Sequence, residues 1–533
     1  MDDKNRTFSF LSTIFLDFFM IEYIKGTNRS QLEFYCLEEV IEAEHPARFI
    51  EAFVDKLELG ALGFVCKPIQ KEGRPAFDPK VFLKLYLYGY LNGIRSSRRL
   101  EKECCRNIEL HWLLGKLKPN YHSIADFRKE NPLALRNTFK LFVLFLSDVG
   151  LIAGKVLAVD GTKMRASNSK KNNYSPKKIE RHLAYIEQKT QEYMAILDAH
   201  DHGEEQVEIR NIPEKLARLE SQKIKYELLG KQMEDVRSPQ VSTTDADARA
   251  LLVQGQVVEV CYNMQAAVDE QHKLVVATHT INRNDRNALS DICIEAKNNL
   301  GAKELIVLSD KGYHNGHELE ICRRQNIKTI CAQQEIVNSN SKGTRPEYLV
   351  TEFTYNASED TYTCPQGQKL KTSGTWHTKI NGNNQYRFKK YRTPACKGCA
   401  VKHLCTGRAQ GGREIDRSEY ADAVEENRTR YKANETLYRK RQEINEHIFG
   451  TIKRKWGYSF TDVRGLKKVN GEFALILTVY NIRRCISILG IPVLLEKMKN
   501  WKPDYKRIRL LSSRLMRLHD IGAHFEIFLQ KAA

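Results

Sequence analysis

Two aspartates in this sequence stand just beyond short apolar runs, where a carboxylate can meet solvent or a metal ion. Val156-Leu157-Ala158-Val159 reads as a buried strand ending on Asp160-Gly161-Thr162, and Leu305-Ile306-Val307-Leu308 as another ending at Asp310. Ligands of open α/β sheets bind outside the carboxyl ends of the strands, so both acids are placed for ligand chemistry. Either one alone would serve as a turn former or helix cap; two of them after two buried strands say more. Such a pair suits phosphodiester cleavage with two divalent cations about 3.5–4 Å apart, one activating a water or a 3′-hydroxyl, the other stabilising the leaving oxygen. Hard carboxylate oxygens favour Mg²⁺ or Mn²⁺.

That chemistry asks for a third carboxylate from another element. A helical pattern from about residue 434 to 455 contains Glu443-Ile444-Asn445-Glu446-His447. Glu446, Gly450 and Lys453 follow an i, i+4, i+7 spacing and share a face, with Arg439 one heptad before Glu446 on the same stripe. On this reading Glu446 completes the metal set, Gly450 admits a DNA backbone and Lys453 reaches a phosphate. A solvated charged helix face has the same spacing, and Glu443 is the alternative third acid.

A second constellation is built of cysteines. Cys364, on a Cys-Pro-x-Gly turn, and Cys396, Cys399 and Cys405 supply four thiolates and the tight turns that a tetrahedral structural Zn²⁺ needs; His403 is a possible substitute ligand. Thirteen cysteines without a secretory context fit a reducing cytosol better than a disulfide framework.

The elements that must position these residues fall into blocks. Residues 1–35 read as an N-terminal extension. Its apolar stretch, 8–24, is broken by Asp17 and Glu22 and lacks a cleavage site, so no signal peptide is expected; Met1 and Met20 are both candidate starts. Residues 36–150 read as a helical DNA-binding domain: Asp78-Pro79 opens a helix that stops at Gly93, a basic turn carries Arg95, Arg98 and Arg99, and Ser123 with Asp126 resembles a capping box. Arg98 and Arg99 are the DNA-contact candidates there. The first part of a catalytic core spans 151–335, with a helical insertion at about 175–240. A cysteine-rich insertion follows at 336–430, then core helices with Glu446 at 431–490 and a basic tail at 491–533.

Bulk composition agrees with a polyanionic partner. Lys and Arg total 85 against 66 Asp and Glu, a net charge of +19, with a pI near 9.2. Mean hydropathy is −0.51 and no apolar run nears the roughly 20 residues of a spanning helix, so no membrane partner is expected.

LAVDGT (157–162), VLSDKGY (307–313) and EHIFGTIK (446–453) resemble the three acidic motifs of bacterial insertion-sequence DDE transposases. The resemblance runs from about residue 23 to 489 and takes in GRPAFDP (73–79), GIRSSRR (93–99), SIADFR (123–128), RGL (464–466) and VYNIRR (479–484). It implies a multidomain α/β protein with a ribonuclease H-like core, Asp160, Asp310 and Glu446 as catalytic metal ligands, and a cysteine-rich insertion. Many relatives carry a DNA-contacting tyrosine and arginine seven and four residues before the glutamate. Here Tyr438 and Arg441 stand eight and five before it, offset by one, while Lys453 keeps its place.

The expectation is a cytoplasmic transposase that cuts and joins DNA at an element's terminal inverted repeats and at a target, as a homodimer or larger assembly. A ribonuclease H-fold nuclease or resolvase that cuts without joining, and a DNA-binding descendant that no longer cuts, are the competing readings.

Overall fold

The computed structural model describes residues 30–510, except 33, 67–75, 202–210, 236–238, 254–256, 334–343, 382–383 and 409. The stretch 8–24, the first residues of GRPAFDP and the end of the basic tail lie outside the described residues. Met1–Glu42 forms a unit of its own, with one described 3₁₀ turn at Leu37–Val40.

From Ala43 onward the chain is a multidomain α/β structure. Seven helices come first: α1 (Pro46–Asp55), α2 (Leu59–Leu62), α3 (Pro79–Leu91), α4 (Ser97–Arg106), α5 (Ile108–Leu114), α6 (Tyr121–Glu130) and α7 (Pro132–Asp148). Local chemistry sets their ends. Asp78 accepts from the Lys80 N–H at 2.8 Å, with Pro79 in the first turn where a missing N–H costs nothing, and Gly93 takes φ +74° past the end of α3. The start of α6 differs from the expected capping box. Asn120, not Ser123, is the cap, its side-chain oxygen accepting the Ser123 N–H at 2.8 Å.

The central sheet follows, built from β1 (Val156–Arg165), β4 (Arg249–Val253), β5 (Val257–Asp269), β6 (Val275–Ile281), β7 (Leu305–Ser309) and β8 (Ile327–Cys331). β1 pairs antiparallel with β5 and parallel with β7, and β8 continues in parallel beside β7. β4 and β6 line the other edge of β5 at different heights. Between β1 and β4 run a short strand pair, β2 (Asn173–Tyr174) with β3 (Val241–Ser242), and two long helices, α8 (Pro176–Asp201) and α9 (Ile212–Asp235), that share a small core of Ile179, Leu229 and Met233.

Helices α10 (Leu289–Leu300) and α11 (Gly316–Arg324) connect the later strands. A second, five-stranded sheet then forms from β9 (Thr354–Asn356), β10 (Thr361–Thr363), β11 (Lys369–Asn381), β12 (Asn384–Arg392) and β13 (Ile415–Ser418), with the one-turn helix α12 (Lys402–Cys405) before β13. The chain returns through α13 (Ala421–Ala433), α14 (Glu435–Phe449), a π-helical turn at Gly450–Lys455, α15 (Leu466–Leu489) and α16 (Ile491–Asn500).

α15 is buried almost throughout residues 469–482 and explains two of the recurring motifs. Asn481 of VYNIRR accepts the Val275 N–H at 2.9 Å and donates to the Val275 carbonyl at 2.8 Å, which satisfies the backbone of edge strand β6. Gly465 of RGL, at φ +89°, donates to Asp245 and begins the helix. Gly471 lies against α7 so closely that a Cβ would stand 2.6 Å from the Pro132 Cα.

Buried charge ties α3, the turn after it and α6 to α15. Arg95 pairs with Glu472 at 2.9 Å and Asp462 at 3.1 Å, and Arg128 donates to the Tyr90 hydroxyl, which in turn donates to Glu472. Arg95 therefore belongs to the interior, not to the basic surface turn that its neighbours suggest.

Candidate active site

β1 hides Val156 through Val159 and loses its β7 partner after Val159, which lies opposite Ser309. The next residues on these adjacent parallel strands are Asp160 and Asp310. Asp160 accepts the Gly161 N–H at 2.8 Å, and Asp310 caps the 3₁₀ turn Lys311–Tyr313 by accepting the Gly312 N–H at 2.8 Å. Among the described residues, the cation set against Asp160 is Arg441, at 3.5 Å. Burial pushes the Asp160 carboxyl up to about 6, against the pull of the Gly161 N–H and Arg441, and Asp310 and Asp285 add to the rise.

Sequence reasoning does not single out Asp285. It opens a 3₁₀ turn (Asp285–Asn287) four residues past β6 and accepts from the Asn263 amide at 2.7 Å and the Gln265 amide at 2.8 Å. A Cβ on Gly161 would stand 2.7 Å from its Oδ1 and 2.8 Å from Oδ1 of Asn263, a buried oxygen with no hydrogen-bond partner. Successive strand residues face opposite ways, so Asp285 flanks β1 on the Gly161 side while Arg441 approaches on the Asp160 side. Tyr313, fully buried, has its phenol held well above the ordinary value by burial first and then by Asp285, Asp160 and Asp310 together. The sequence signal that could have found Asp285 is the one that marks the other two, an acid soon after an apolar strand.

α14 packs over β1 through Ile444, Asn445 and Ile448. The Arg441 guanidinium, which faces the Asp160 carboxylate, lies over the Tyr438 ring at 5.7 Å from its centre, so Tyr438 meets Asp160 only through Arg441. Glu446 is exposed and accepts from Gln442 at 2.8 Å; it is not drawn to the two aspartates. Asn445 beside it is buried with neither polar atom of its side chain hydrogen-bonded. Glu443 points elsewhere, to Lys273 at 3.0 Å. Lys453, in the π turn, donates to the Lys163 carbonyl at 2.6 Å, and burial pushes its amine below the ordinary range. Arg439 is exposed on α14; Arg98 and Arg99 are exposed in the first turn of α4, with Arg98 over the Tyr121 ring.

Among the described residues no three His, Cys, Asp or Glu side chains converge tightly enough to hold a metal ion. The donor types nonetheless suit a hard cation at Asp160 and Asp310, two neighbouring carboxylates with Arg441 set against one of them; Asp285, on the Gly161 side of β1, faces Lys163 at 3.9 Å. Cys364, Cys396, Cys399 and Cys405 all line one small cavity of about 30 Å³ at the base of the second sheet. Gly412 closes it, since a Cβ there would meet the Cys396 Cβ at 2.3 Å.

Two stretches of the chain match transposase families. A family described as "Transposase domain (DUF772)" matches residues 35–130, and one described as "Transposase DDE domain" matches residues 363–486. Together the two matches support an insertion-sequence DDE transposase. The two matches take in the N-terminal helices, the cysteine cavity, Glu446 and most of α15; Asp160, Asp285 and Asp310 lie between them. Comparison with curated proteins and with solved structures returns no match.

Proposed function

We propose that the chain cleaves DNA at the ends of an insertion sequence and transfers the freed 3′-hydroxyl to a target, with Asp160, Asp310 and Glu446 holding two Mg²⁺ or Mn²⁺ ions. The observation that carries this reading is the pair Asp160 and Asp310, set side by side where the parallel pairing of β1 and β7 ends, with Asp160 partly desolvated. The strand order β6-β5-β1-β7-β8, with β1 central and the first three strands antiparallel, supports a ribonuclease H-like core. The ions would activate the attacking oxygen and stabilise the leaving one.

The chain's own residues do the rest. Asp160 and Asp310 are fixed by backbone N–H groups, so their free oxygens keep one direction. Arg441 partly neutralises Asp160 at 3.5 Å, and would be free to meet a phosphate if a cation were held there instead. Glu446, which now accepts from Gln442 at 2.8 Å, would have to exchange that bond for the site to hold ions with all three carboxylates. Arg98, Arg99 and Arg439 are exposed cations suited to DNA phosphates, and the active assembly is a dimer or larger. Cys364, Cys396, Cys399 and Cys405 would hold a structural Zn²⁺ if their thiolates drew together around it, which would brace the second sheet; metal analysis of protein folded with zinc tests it, and Cys396→Ser should lower the zinc content.

The core reading is tested by Asp160→Asn, Asp310→Asn and Glu446→Gln. Each is expected to abolish cleavage of end-containing duplex in Mn²⁺ while DNA binding stays near wild type. Cleavage that survives Glu446→Gln but not Glu443→Gln would reassign the third carboxylate.

A further inference from the structure

β11 and β12 make an arm that outruns its own sheet. β10 covers β11 only at residues 369–371, and β13 covers β12 only at 388–391, yet the two long strands stay paired out to Asn381 and Asn384. The outer half is thus a two-stranded ribbon with open edges. A register break between Thr372 and Trp376, with Gly374 at φ +79°, sets it off from the base. Bare ribbons are marginal in water and open edges invite partners, so a protruding one needs a use.

Its chemistry narrows the partner. Residues 369–392 contain seven Lys and Arg and no Asp or Glu. Acids from other segments answer the cations near the base: Glu359 with Lys369, Asp360 with Lys389, Glu414 with Lys390 and Arg392, Glu419 with Arg387. Lys371 and Lys379 are exposed. One face of the ribbon aligns Trp376, Thr378 and Ile380 with Lys389, Arg387 and Gln385 by direct cross-strand pairing. Trp376 is 45% exposed and Ile380 72%, and the Arg387 guanidinium and Lys389 ammonium lie over the indole at 5.4 and 5.3 Å. Cations beside an open aromatic ring match phosphates beside bases, and a two-stranded ribbon has the width that a DNA major groove admits.

We infer that the β11–β12 arm is a duplex-DNA contact separate from the carboxylate site, laying its Trp376 face along a groove while Lys371 and Lys379, on the opposite face of the ribbon, reach phosphates at the groove's rim. The inference rests on the reading of the chain as a DNA-processing enzyme. The arm adds positive charge and grip away from the scissile bond, so it should govern affinity more than the cleavage step.

The test uses the full chain and labelled duplex DNA of mixed sequence, titrated at several salt concentrations. Lys371→Gln with Lys379→Gln is expected to flatten the slope of log affinity against log salt by about 0.9 for each phosphate no longer neutralised. Trp376→Ala is expected to weaken binding by about tenfold, the scale of burying one large apolar side chain against a groove wall. Trp376→Phe should keep most of the affinity but remove the DNA-dependent quenching of indole fluorescence. All three changes lie on exposed positions, and an unchanged thermal melt confirms folding. Wild-type affinity and slope in these variants, with binding weakened in Arg98→Ala/Arg99→Ala, would overturn the inference and leave the functional reading intact. A DNA-free dimer that dissociates on Trp376→Ala, with DNA affinity unchanged, would assign the arm to a second copy of the chain and overturn it too. If the wild type fails to bind duplex at all, the arm's role and the proposed function fall together.

Discussion

Glu472 and Asp160 are both carboxylates largely covered by protein, and they differ in what surrounds them. Glu472 has two arginines and a tyrosine hydroxyl, and the pull of Arg128 and Arg95 overcomes burial to hold its carboxyl below the usual range. Asp160 has one arginine at 3.5 Å and two further aspartates nearby, and burial wins. The first region is electrically closed and fastens helices together. The second is electrically open, and a divalent cation would close it.

The largest effect should come from breaking the closed region. Glu472→Gln leaves Arg95 and Arg128 buried without their shared anion and is expected to cost about 3–5 kcal/mol, read from urea unfolding. Equal stability in this variant would mean that Asp462 alone suffices and that the network is looser than its distances suggest.

Asp160→Asn should act in the opposite direction. Without divalent ions at neutral pH it is expected to stabilise the fold by up to about 3 kcal/mol, the cost of ionising a carboxyl whose native value is near 6. The sign follows from linkage. A native pKa above the unfolded one favours the fold at low pH, and that contribution is lost as pH rises towards about 6, so the gain from asparagine should vanish below about pH 4. A destabilised variant at neutral pH would show that Arg441 already balances Asp160.

Asp285→Asn sharpens the comparison at smaller scale. The amide keeps an oxygen for Asn263 and Gln265 but removes the charge, and Mn²⁺ affinity is expected to fall by about 10- to 100-fold. Wild-type Mn²⁺ binding should itself weaken as pH falls through about 6, where Asp160 takes up a proton. Calorimetric titration of both proteins on either side of that pH checks each point; unchanged affinity in Asp285→Asn would make that residue a structural pin only.

What could be read from the sequence was local. Asp160 and Asp310 each follow an apolar run within one or two residues, and the four cysteines sit at spacings that suggest a common cavity. Asp285 escaped because its meaning depends on β5, about twenty residues earlier, supplying the amides that hold it. Arg95 looked like surface charge because its partners, Asp462 and Glu472, lie over 300 residues away. The stripe Glu446, Gly450, Lys453 assumes an unbroken α-helix, and the π turn at Gly450–Lys455 breaks that assumption.

That turn also gives α14 the mechanics of a screw. A π turn carries one residue more than an α turn, and helices tolerate such a surplus wherever it travels. If the surplus passed from 450–455 to the amino end of α14, each residue between would advance by one position and rotate by about 100°. Glu446 would then stand where Asn445 now stands, buried on the face that meets β1, in a place whose present occupant has found no hydrogen bond.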